Sequence, residues 1–116
     1  MRVISQDRKI DIPYDYFSLS MDSGKFSGGE IAIIYCHNLS SPDGTKLARY
    51  SAKEKAIKAM EMLREQYSRI EIIKSLASGT CEHMEESLKP KEFKDILKKY
   101  INMEVFQFPQ DDEIEV

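Results

Sequence analysis

At 116 residues the chain is long enough to bury one core without disulfides or a metal, and a second domain is not expected. Its 41% hydrophobic and 32% charged residues exclude a disordered chain, and no apolar run approaches the length of a bilayer span. The net charge of -3 conceals a split: positions 103–116 hold Glu104, Asp111, Asp112, Glu113 and Glu115 and no base, while the remainder is slightly basic.

The opening MRVISQD meets charges at Arg2 and Asp7 and lacks the apolar stretch of a signal peptide. Cys36 and Cys81 lie far apart and do not form a disulfide framework, so the expected location is the cytoplasm. RVIS (2–5) and KIDI (9–12) read as the strands of a hairpin, stopped by Pro13. In YFSLSM, Phe17, Leu19 and Met21 alternate with Ser18 and Ser20, the pattern of a half-buried strand. DSGKFSGG has the Gly and Ser density of a hairpin loop, and it leads into EIAIIYC, a continuous apolar run that predicts a central strand. SPDG at 41–44 reads as a β-turn, after which KLARY returns as the partner strand.

Ser51 and Glu54 have the spacing of a capping box at the start of the clearest helix. Ala52, Ala56, Ala59, Met60, Leu63 and Tyr67 share one face of it, so this helix should lie across a sheet. Residues 70–88 are open to two readings, a continuation to about Ala77 ended by Gly79, or a separate turn. PKEFKDILKKYI predicts a second helix, with Pro90 in the first turn and Phe93, Ile96, Leu97 and Tyr100 on one face. EVFQF then supplies a last strand that buries Phe106 and Phe108, and Pro109 closes it.

The segments MRVISQDRKIDIPYD, YSAKEKAIKAMEMLREQY and VFQFPQDDEIEV together resemble a group of short proteins from Gram-positive bacteria and their mobile elements. Those typically begin with a VISQDG-like and VPYE-like hairpin, continue with a Y-S/T-x-E-x-A helix and end on a VFQFP-like strand. The resemblance covers about half of the chain and implies no activity, ligand or catalytic residue. Arg8 stands where the group often has Gly, which implies a first turn with a different backbone from the φ > 0 turn that Gly permits.

Cys36, His37, Cys81 and His83 are the only residues of their types, yet neither C-x₂-C nor H-x₃-H is present, and adjacent strand residues point to opposite faces. No metal and no cofactor are expected. Cys81 and His83 are close in sequence but sit in no strand-turn-helix nucleophile motif, and SGG at 27–29 precedes a strand where a phosphate loop should open a helix. Without a recognisable acid, base or nucleophile set, the chain is not expected to be an enzyme.

The expected fold is α+β: a curved antiparallel sheet of five or six short strands, covered by one main helix over about 52–68, with a second helix over about 90–101. Residues 1–109 form the single domain and 110–116 a free acidic tail that serves solubility; the alternative is that Ile114 and Val116 add to a partner's sheet edge while Asp111 and Asp112 steer toward a basic surface. The function this suggests is a small protein-binding or regulatory module, an accessory of a phage or mobile element, acting on an unknown protein partner or as a homo-oligomer. The alternative is a nucleic-acid-binding accessory domain contacting phosphates through Lys91, Lys94 and Lys98, which share an arc of the second helix. No membrane partner is expected.

Overall fold

The computed structural model describes residues 1–26, 28–87 and 103–115. Among them are six strands in two sheets and one long helix, so the α+β class holds while the single curved sheet does not. In the first sheet β1 (Arg2–Ile4) lies between β2 (Asp11–Pro13), antiparallel to it, and β6 (Val105–Gln107), parallel to it. The second is an antiparallel meander of β3 (Ser18–Phe26), β4 (Gly29–Asn38) and β5 (Ser41–Tyr50), with β4 at its centre.

One local and one long-range feature divide the sheets. Pro13 ends β2 and a 3₁₀ turn at Tyr14–Tyr16 redirects the chain before β3 begins. β6 then returns parallel to β1, which requires a long crossover, and the whole meander and helix lie within it.

The helix α1 runs over Lys53–Ser87, 35 residues and about 52 Å at 1.5 Å per residue, beyond both the 52–68 span and the alternative continuation to about Ala77. Gly79 lies inside it rather than ending it, because one interior glycine costs a helix only about 1 kcal/mol. The second helix expected over 90–101 lies outside the described residues, as do Lys91, Lys94 and Lys98. No helix among the described residues is long and apolar enough to cross a membrane.

α1 lies across β4 and β5 on the face its periodicity indicates. Ala56, Ala59 and Leu63 are buried against Ala32, Ile34, Cys36, Ala48 and Tyr50, and the two alanines let the helix approach the sheet closely. At the other end of the same cluster are Val3, Ile12, Phe106, Phe108 and Ile114, with the two phenylalanine rings edge to face at 5.3 Å.

The turns differ most from expectation. β3 continues to Phe26, which pairs with Gly29, so the expected loop over 22–29 shrinks to a tight connection with Gly28 at φ +107°. The SPDG segment is strand: the turn falls at Leu39 and Ser40, where Asn38 pairs with Ser41. Arg8 adopts φ +66°, so the first loop keeps the left-handed residue expected only of Gly, at a cost of about 1 kcal/mol. Its fold is held by Ser5. The Arg8 N–H donates to the Ser5 carbonyl at 3.0 Å, while the Asp7 carboxylate accepts from the Ser5 hydroxyl and the Lys9 N–H. Those two donors, the Ser5 hydroxyl first, hold the Asp7 carboxyl below its usual range.

β5 carries two register shifts against β4. At the first, between Ile34 and Tyr35, the extra residue Leu47 joins Ala48 in the core, the usual outcome of a bulge. At the second, Gly44 has φ +88° and lies under the His37 ring, so that a Cβ there would sit 2.6 Å from His37 Cε1 and 2.8 Å from Nδ1. Gly44→Ala should therefore lower stability by about 1–3 kcal/mol, combining left-handed strain with displacement of the ring. Urea denaturation measures it, and an unchanged midpoint would show that the bulge can re-form without glycine.

Candidate interaction surface

Strand alternation divides β4 into two rows. Ala32, Ile34 and Cys36 face α1 and are buried, whereas Ile31, Ile33, Tyr35 and His37 face the other way and are half-exposed. Pairing places Ser18, Ser20 and Asp22 of β3 beside His37, Tyr35 and Ile33. On the opposite flank Lys46 pairs with Tyr35 and Arg49 with Ile33. The result is a central apolar row bordered by hydroxyls and an acid on one side and by two cations on the other. Neither the Lys46 ammonium nor the Arg49 guanidinium has an ion-pair partner among the described residues. At the end of the row β4 outruns β5, and an open cleft of about 540 Å³ lies between Gly29, Glu30 and Ile31 on one wall and Arg49, Ser51 and Asp111 on the other.

His37 is held at both ring nitrogens. Nδ1 donates to the Pro42 carbonyl at 3.1 Å, which leaves Nε2 to accept from the Ser20 hydroxyl. Tyr35 lies beside it, with ring centroids 6.3 Å apart. Cys36 points into the core, where burial pushes its thiol up, so it cannot share an ion with His37 on the opposite face. The side chains of Cys81 and His83 lie outside the described residues. No group of three metal-ligating side chains occurs among the described residues.

Residues Gln110 to Glu115 are not a free tail but fold onto the domain. Tyr50 Oη donates to the Pro109 carbonyl at 2.8 Å, and Gln110 Nε2 donates to the Gln6 carbonyl at 2.7 Å. A 3₁₀ turn at Asp111–Glu113 directs Asp112 and Glu113 to solvent and drops Ile114, only 4% exposed, into the core. Asp111 accepts from the Ser51 N–H at 2.7 Å and from the Ser51 hydroxyl, and Lys55 Nζ donates to its carbonyl at 2.8 Å. Lys58 Nζ donates to the Glu115 carbonyl.

Acids are favoured here because they meet the positive end of α1. The expected Ser51–Glu54 box gives way to this arrangement, in which Ser51 donates its hydroxyl proton to Asp111. The Ser51 N–H, then its hydroxyl and Lys55, hold the Asp111 carboxyl below its usual range. Burial, followed by the charges of Asp111 and Glu113, holds the Tyr50 phenol far above its usual range. Of the four candidate partner-binding residues, Ile114 is therefore core, Asp111 serves the helix start, Asp112 is exposed, and Val116 lies outside the described residues.

The solvent-facing row of β4 was missed because EIAIIYC is apolar at every other position as well. Its signal was present in the neighbouring strand, where SLSMD alternates polar and apolar residues as a sheet with one open face requires, while in KLAR the bulge residue Leu47 breaks the alternation. Comparison of the chain with family models, curated proteins and solved structures found no match.

Proposed function

We propose that this chain is a small protein-binding module and that the open face of the β3–β4–β5 sheet is its contact surface. The observation carrying this reading is the row Ile31, Ile33 and Tyr35, half-exposed in the middle of a sheet and bordered by Lys46 and Arg49, which have no ion-pair partner among the described residues. Aromatic, aliphatic and Arg side chains grouped in this way are those that anchor protein interfaces. The fitting partner presents apolar side chains flanked by carboxylates, so that burial supplies affinity and the two cations set its orientation. A role as an accessory protein of a phage or mobile element follows from the resemblance of the terminal segments to proteins of Gram-positive bacteria and their mobile elements. The chemistry proposed is binding and not catalysis, acting in the cytoplasm.

The test is a pull-down from host extract at moderate salt, with and without nuclease, using the wild type, Tyr35→Ala and Arg49→Glu. A protein retained by the wild type after nuclease and lost from both variants, at unchanged thermal midpoints, is the expected result. Retention that survives both substitutions would remove this face from consideration. Retention abolished by nuclease, steeply salt-dependent and lost when Lys91, Lys94 and Lys98 become Gln, would establish nucleic-acid binding instead.

A further inference from the structure

The described sheet edges are not equally protected. Along β5 the edge is broken by two register shifts and Pro42, and Gln6 occupies it: the Gln6 N–H donates to the Leu47 carbonyl at 2.8 Å, and Gln6 Oε1 accepts from the Arg49 N–H at 2.9 Å. On β6, Gln66 Nε2 donates to the Met103 and Val105 carbonyls at 2.7 and 2.9 Å. β2 is three residues long. β3 is different: nine residues in unbroken register with β4 from Ser18 to Phe26, without bulge or proline, and with no strand on its other side among the described residues. Proteins guard such edges unless the edge is used.

From this contrast we infer that β3 pairs with β3 of a second copy of this chain, antiparallel about a two-fold axis at Met21, joining the two meanders into one six-stranded sheet. Antiparallel pairing keeps opposed residues on the same face, so an axis at Met21 sets Met21 against Met21, Leu19 against Ser23 and Ser20 against Asp22 of the partner. No like charges meet in this register. Leu19 and Met21 are half-exposed on the helix side and pack against the core, so the second copy would extend that apolar row across the junction. An axis at Asp22 would instead oppose two carboxylates. The two open faces proposed for partner binding would then form one continuous surface, although the pairing does not depend on that function.

Sedimentation equilibrium at micromolar concentration tests the pairing. The wild type should have the mass of two chains. Ser20→Asp sets two further carboxylates against Asp22 of the partner and should give monomers, whereas Ser20→Ala, which removes the same hydroxyl from His37 without adding charge, should remain dimeric and so separates the charge clash from the lost hydrogen bond. Adding Asp22→Lys turns each clash into an ion pair and should restore the dimer. Met21→Cys in a Cys81→Ser background should form an interchain disulfide under mild oxidation, which reads the axis without relying on the charge variants. A monomeric wild type, or a Ser20→Asp variant that remains dimeric, would overturn the inference. A double variant that stays monomeric, or no disulfide at Met21→Cys, would exclude the axis at Met21.

Discussion

Leu63→Ala should lower the unfolding free energy by about 2–5 kcal/mol, the range for removing a fully buried leucine side chain and leaving a cavity. Leu63 is 1% exposed and belongs to the cluster in which α1 meets the second sheet. Small alanines at Ala56 and Ala59 bring the backbones together on the same face, which leaves little room for the surroundings to collapse into the vacated volume. The thermal midpoint should therefore fall by more than about 8 °C, since each kcal/mol shifts a domain of this size by roughly 4–8 °C. Met60→Ala should cost distinctly less. Its side chain is half-buried at the cleft beside Tyr14, Phe17 and Leu19, where water or a neighbouring side chain can fill the space. Equal losses for the two substitutions would mean that the inward arc of α1 is centred closer to Met60 than the structure places it.

The face of α1 was legible because its buried residues follow one helical period, and Phe106 with Phe108 were legible because a two-residue repeat admits one solution for a short strand. The division into two sheets was not. It depends on β6 pairing in parallel with β1 across about a hundred residues, and no local pattern encodes a partner so distant. Turn positions failed for a different reason. SPDG has the residues of a β-turn, but Pro42 sits on an edge strand, where no ladder hydrogen bond is lost, and Gly44 serves a bulge beneath His37. The same residue types satisfy both structures, and register decided between them.

Gln6 shows what the N-terminal and C-terminal motifs share. Its Nε2 donates to the Pro109 carbonyl at 3.2 Å, its Oε1 accepts from Arg49, and its own carbonyl accepts from Gln110. SQD near the start and FPQD near the end, read separately in the sequence, thus meet at the junction of the two sheets. The two segments form a structural clasp there.

That clasp makes the acidic end part of the fold, and its removal should be costly. Ile114→Ala should destabilise by about 2–3 kcal/mol, the lower part of the range for this change because a chain end relaxes more readily than a core strand. Deleting residues 110–116 should cost more than Ile114→Ala, since it also removes the Asp111 carboxylate from the start of α1 and the Gln110 bond to Gln6. The Asp111 contribution carries a pH signature. Its carboxyl titrates lower in the folded chain than in the unfolded one, so its stabilisation is fully present above the ordinary aspartate value of about 3.9 and is lost as pH falls through the folded value. The gap in thermal midpoint between the wild type and Asp111→Asn should accordingly be constant near neutral pH and close in acid. A gap that persisted at the acid end would mean that Asp111 acts through geometry alone and not through its charge at the helix start. A deletion of 110–116 that left the midpoint where it was would release the acidic end from the core and return Ile114 to the surface, available to a partner's sheet edge.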